Sequence, residues 1–225
     1  LRHPTRPSGG PGYLDGVRAA APIGIAALAF GVSFGVLARS AGMGRLAPVV
    51  MSLTTFAGSA QFAAASILVA GGGAAAAVAA AVLLNLRYGP MGLSAASTLE
   101  GQWWRRALTA QLVVDESWAI AQRDDGRIDR HLLVGAGLLL AVGWVGGTAV
   151  GVLAGDLVAD PASLGLDAAF PALFLALLVG QIKGRSRLLA AIGGALIALA
   201  LMPVAGPGVP IIAASLACLV GARRS

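Results

Sequence analysis

The side chains able to do chemistry fall in three short stretches. Ser52, Thr55, Gly58, Ser59 and Gln61 crowd into one segment, Asn85 and Arg87 stand together in a second, and Asp115 and Glu116 are neighbours in a third. Hydroxyls, amides and a guanidinium are the groups that grip a small zwitterion, and paired carboxyls are the groups that titrate or hold a cation. Residues 46–86 form an uncharged run of 41 positions, so Arg87, with Tyr88-Gly89-Pro90-Met91-Gly92-Leu93 still apolar beyond it, is an ion embedded in apolar sequence. Facing lipid, it would cost several kcal/mol. It therefore faces protein or a water-filled cavity, or else snorkels to headgroup phosphates.

On a regular helix Ser52, Thr55, Ser59 and Ser66 share one face, and Gln61 points almost opposite to Ser59. A break near residues 57–61, at Gly58, would let Ser59, Gln61 and free backbone groups converge on one cavity, with a half-helix N-terminus facing a carboxylate. In the alternative the hydroxyls bond back to their own helix and Gln61 joins a helix contact. Asp115 and Glu116 are the only acids inside a candidate membrane segment, which fits a coupling role; a structural ion pair with Arg87 is the other reading.

These groups need elements to position them. The 225 residues are 57% hydrophobic and 12% charged, too little polar surface for a soluble globule, and the chain reads as an all-α polytopic membrane bundle. Uncharged runs at 19–38, 46–70, 74–98, 131–155, 168–182, 188–203 and 207–222 give seven spans, and 107–122, with its two acids, gives an eighth if it crosses. Residues 1–13 read as a disordered polar tail ahead of a single transmembrane transport domain, 14–225, and the first apolar segment reads as retained rather than cleaved. Net charge is +6, but the basic residues sit in short clusters between apolar runs, so topology explains them better than nucleic acid does.

Lys183, Arg185 and Arg187 mark one loop as cytoplasmic, Asp156, Asp160 and Asp167 mark another as external, and the C-terminal Arg223-Arg224 then lies inside. If 107–122 crosses, basic residues other than Arg87 divide 11 inside to 4 outside; if not, 12 to 3. Charge alone does not choose. Cys218, His3 and His131 cannot assemble a disulfide, a metal cluster or a haem ligand pair, and no cofactor or catalytic set is implied. Gly143, Gly147, Gly151 and Gly155 recur at every fourth position, giving a groove for close backbone approach, either by another helix of the chain or by a docking subunit.

Phe56-Ala57-Gly58-Ser59-Ala60-Gln61-Phe62, then Asn85-Leu86-Arg87-Tyr88-Gly89-Pro90, then Asp115-Glu116-Ser117-Trp118, in this order, resemble the AzlC family of branched-chain amino acid permeases. Asn85 and Tyr88 stand where some members carry aspartate and histidine. The resemblance implies a transporter, in several members an exporter, of branched-chain and related amino acids in the inner membrane, working with a small hydrophobic AzlD-like membrane subunit. The polar residues themselves suggest a zwitterion held by Ser52, Thr55, Gly58, Ser59, Gln61, Asn85 and Arg87, with proton coupling at Asp115 and Glu116. A passive channel for a small neutral or anionic solute is the alternative function. An intramembrane enzyme finds no histidine or cysteine deep in the membrane beside an acid.

Overall fold

A computed structural model describes residues 11–123, 127–155, 184–205 and 209–215, with isolated positions 175, 178, 179 and 182. Among these the chain is helical: α1 Tyr13–Ser40, α2 Leu46–Thr54, α3 Gly58–Val69, α4 Ala74–Asn85, α5 Tyr88–Ala95, α6 Trp103–Ala110, α7 Asp115–Ala121, α8 Arg130–Ala154, α9 Arg185–Leu201 and α10 Val209–Ser215. A 3-10 turn, Ala96–Thr98, extends α5, and a lone antiparallel bridge joins Gln122 to Ile128. Apart from those four positions the span expected at 168–182, with the acidic loop 156–167, His3, Cys218 and the first ten residues of the tail, lies outside the described residues.

Only α1 and α8 are individually long and apolar enough to cross a membrane among the described residues; α4 with α5 makes a third if that bent pair counts as one span. The runs expected as single spans at 46–70, 74–98 and 107–122 are each interrupted, at 55–57, 86–87 and 111–114. Every interruption falls at or beside the polar residues singled out above.

The described residues form two compact units, one of residues up to 28 with 88–143, the other of 29–87 with 144 onward. In the first, Gly16 faces the backbone of Leu132 and Ala136, and a methyl placed on Gly143 would lie 2.9 Å from the Gly24 carbonyl oxygen. In the second, Gly31 faces Trp144, Gly147 and Thr148, Gly35 faces Thr148, Gly151 and Val152, and a methyl on Gly151 would overlap the Val32 carbonyl. Residue numbers rise together on both helices, so α1 and α8 run parallel in each unit.

The same contact covers the glycine row of α8. The row Gly143, Gly147, Gly151, Gly155 is filled from within the chain, the last glycine lying against the Arg39 side chain. In lipid, helices associate by close packing rather than by a hydrophobic drive, and glycines on both partners bring two backbones into direct contact. Those four positions pack against α1. The outer surfaces of the same helices expose large apolar side chains, Ile25 and Val142 both more than 70% exposed, as lipid-facing helices do.

Candidate functional site

The second unit contains a helical hairpin. The first arm, α3, ends in a Schellman turn, with Gly71 at φ +80°, the Gly72 N–H donating to the Ile67 carbonyl at 2.8 Å and the Gly71 N–H to the Leu68 carbonyl at 3.0 Å. Its return arm, α4, has the same 12-residue length, and Ala64, Ile67, Ala77 and Ala80 form the small apolar core between the arms. Equal arms joined by a tight turn put the start of α3 level with the end of α4. Ser59 and Asn85 thus occupy the same open end, and Arg87 follows two residues beyond the helix.

That end is polar and incompletely satisfied. Ser59 Oγ and Asn85 Oδ1 are buried without a hydrogen-bond partner, although buried polar atoms are normally paired. The first-turn N–H groups of α3 have no intrahelical acceptor and carry the positive end of the helix dipole. Arg87 is half-buried and donates from Nη1 to the Leu84 carbonyl at 3.2 Å.

Ahead of α3 the chain breaks at Thr55-Phe56-Ala57, one turn earlier than Gly58-Gln61, where the sequence places it. Gly58 is the first residue of a regular α3. Phe56, buried, adopts φ +42°, a left-handed conformation that costs a bulky residue of order 1–3 kcal/mol and persists only where its surroundings hold it. What holds it is a set of buried hydrogen bonds. Gln61 Oε1 accepts from the Ala57 N–H at 3.2 Å and from Trp144 Nε1 at 3.0 Å, while Gln61 Nε2 donates to Ser52 Oγ at 2.8 Å. Ser52 and Thr148 hydroxyls are 2.9 Å apart, and Thr148 donates to the Trp144 carbonyl at 2.9 Å.

The break thus unites Ser52 with Gln61, where the sequence argument unites Ser59 with Gln61. Thr55 lies in the break itself. Ser52, Gln61 and Thr148 are all 0% exposed. Trp144 and Thr148 were missed from the sequence; the available signal was that they are the only indole and hydroxyl in the helical stretch after His131, spaced i, i+4 on one face.

In the first unit a comparable device pins the 111–114 break. Ser117 Oγ accepts from the Val114 N–H at 3.0 Å and contacts the Leu112 carbonyl at 2.6 Å, and Trp118 Nε1 donates to Ser94 Oγ at 2.7 Å. Asp115 and Glu116 open α7, where the helix dipole favours negative charge. On the loop leading into α8, Asp129 accepts from Arg123 and caps the helix through the His131 and Leu132 N–H groups at 2.9 and 3.1 Å. Burial raises the Asp129 carboxyl pKa, but the Arg123 hydrogen bond, the two backbone N–H groups and the Arg123 charge outweigh it and hold the group below the ordinary aspartate value.

Membrane-length helices, and apolar runs broken where their polar side chains lie, define a helical integral membrane protein with polar groups recessed at its helix breaks. Residues 22–158 match the family described as AzlC protein, and the chain belongs to that family. It is 34% identical over 198 residues to a membrane protein of Archaeoglobus fulgidus, covering 87% of both chains. It is 27% identical over 201 residues to the "Branched-chain amino acid transport protein AzlC" of Bacillus subtilis, covering 88% of this chain and 79% of that one. A membrane protein of Helicobacter pylori is 26% identical over 159 residues, covering 69% of each. No solved structure matches the chain.

Proposed function

We propose that this chain is the large subunit of a secondary transporter, an exporter of branched-chain and related aliphatic amino acids, driven by the proton gradient and acting with a small hydrophobic membrane subunit. The observation that carries the reading is the open end of the α3–α4 hairpin, with its two unpartnered buried oxygens beside a helix N-terminus and an arginine. The substrate carboxylate meets the α3 N–H groups and Arg87. Its ammonium donates to Asn85 Oδ1 and Ser59 Oγ, which are the acceptors left without a donor. The name of the Bacillus relative, a branched-chain amino acid transport protein, supports this substrate class.

The parallel course of α1 and α8 favours an odd number of crossings between them, hence a crossing at 107–122, eight in all and both termini cytoplasmic. Asp115 and Glu116, on that segment, are our candidates for the coupling site.

The test is reconstitution of the chain with the small subunit in vesicles, following labelled leucine, valine and methionine with and without a pH gradient. Accumulation against a concentration gradient, driven by pH, is expected. Equilibration without accumulation identifies a channel, and no amino acid flux at all overturns the reading.

A further inference from the structure

The buried polar ring around the 55–57 break has a fixed direction. Trp144 Nε1 can only donate and the Trp144 carbonyl can only accept. Because Gln61 Oε1 receives both the indole N–H and the Ala57 N–H, its amide orientation is determined, and Nε2 must donate to Ser52. Thr148 donates to the Trp144 carbonyl, so its Oγ1 accepts from Ser52. The circuit runs from the Trp144 indole through Gln61, Ser52 and Thr148 back to the Trp144 backbone and closes on itself. Such a loop, ended by an obligate donor and an obligate acceptor, holds every proton in one place and cannot relay protons.

Its geometry spans the break. Ser52 is on α2 and Gln61 on α3, and both are tied to one turn of α8. The Trp144 indole stacks on Phe34 with centroids 6.1 Å apart, meets Phe62 edge-on at 5.8 Å, and lies so close to Gly58 that a methyl there would be 2.9 Å from its Cη2. That indole therefore touches the first residue of α3, next to Ser59.

We propose that Trp144 and Thr148 are positioning residues for transport: through the closed ring they hold α2 and α3 at the angle that presents the first turn of α3, with Ser59, to the substrate. The transport arm of this proposal rests on the function proposed above; the positioning itself does not. In a ring, removing any one bond releases the whole constraint. Losses from two members are therefore less than additive, whereas independent packing contributions add.

Thr148→Val keeps the shape and removes the hydroxyl, Trp144→Phe keeps an aromatic ring and removes the N–H, and Thr148→Ser restores the hydroxyl. With the small subunit in vesicles, Thr148→Val and Trp144→Phe are each expected to raise KM for leucine about tenfold, the scale of one buried hydrogen bond, while the maximal rate stays within about twofold. Thr148→Ser is expected to behave as wild type, and Thr148→Val with Gln61→Leu to be no worse than either alone. The second measurement needs no substrate: Ser59→Cys, in a Cys218→Ser background, is labelled with a water-soluble maleimide. Labelling at 59 is expected to change severalfold on adding Thr148→Val, and to return with Thr148→Ser.

Unchanged labelling at 59 in both Thr148→Val and Trp144→Phe overturns the proposal, as do additive KM effects in the double variant. If wild type moves no leucine, the function proposed above fails and the labelling result alone decides the positioning role.

Discussion

The parallel contact between α1 and α8 makes a graded prediction, because three glycines of one helix meet different surroundings. Gly146 has open space where a side chain would go. A methyl on Gly143 would lie 2.9 Å from one carbonyl oxygen, that of Gly24. On Gly151 it would lie 2.7 and 2.9 Å from the carbonyl carbon and Cα of Val32 and overlap the attached oxygen. Ordinary van der Waals contact begins at 3.4 Å, so the Val32 backbone must withdraw by at least the difference of about 0.7 Å. A backbone cannot rotate away as a side chain can, and withdrawal also opens the neighbouring Gly31–Gly147 and Gly35–Thr148 contacts. Overpacking costs about 1–3 kcal/mol, and a backbone-to-backbone clash belongs at the upper end. We expect Gly151→Ala to cost about 3 kcal/mol, which at about 2–4 °C per kcal/mol lowers the melting temperature by roughly 6–12 °C. Gly143→Ala should cost about 1 kcal/mol, and Gly146→Ala should be neutral or gain up to about 1 kcal/mol of helix propensity. Thermal unfolding of the purified chain in detergent, read by tryptophan fluorescence and size exclusion, measures the series. If Gly151→Ala melts with wild type, or Gly146→Ala is equally harmful, the contact is not the one described. A Gly151 variant that stays intact but loses a partner subunit would return the row to a docking role.

Three further outcomes are expected. Gly58→Ala should displace the Trp144 indole, which Phe34 and Phe62 box in, at a cost of about 1–3 kcal/mol, whereas Gly89→Ala, facing open space, should melt with wild type. Arg87→Lys should raise KM for leucine in the vesicle assay without loss of membrane insertion, because a point charge lacks the planar fork that grips a carboxylate; an unchanged KM removes Arg87 from the site. Asp129 has a lowered pKa in the folded state, so its contribution is present above the unfolded value near 3.8 and disappears as pH falls through the lower folded value. Asp129→Asn should therefore melt below wild type at pH 7, with the difference shrinking only as pH falls below 3.8; a constant difference from pH 7 to below that value refutes the assignment.

The long uncharged runs and their polar interruptions were legible because they follow from composition: an arginine, an amide or a carboxyl inside an apolar stretch is costly unless the fold shelters it. A break was expected only near 57–61; those at 86–87 and 111–114 interrupt runs read as continuous, although each falls beside one of the polar residues. The wrong register of the first break has a specific cause. A glycine is the residue a sequence reader chooses for a left-handed backbone, and Gly58 was at hand, but the positive φ falls on Phe56, where only tertiary bonds sustain it. Gln61, Ser52, Trp144 and Thr148 are up to 96 residues apart in sequence, and no periodicity within one segment reveals a ring that three segments close.

The glycine row illustrates the opposite limit. Spacing of four says that a backbone comes close, and it says nothing about which backbone. The answer was written on α1, in Gly16, Gly24, Gly31 and Gly35, whose spacings of eight, seven and four keep to one helix face. Two glycine rows that match in spacing are complementary only if the helices run alongside each other in a single register, and here that register brings the Trp144 carbonyl against Gly31. That carbonyl is also the acceptor that closes the ring through Thr148. Close packing of α1 on α8 thereby sets the height of the ring, and the ring sets the geometry of the break. A substitution on the far side of α1 can then reach the open end of the hairpin without touching any residue that lines it.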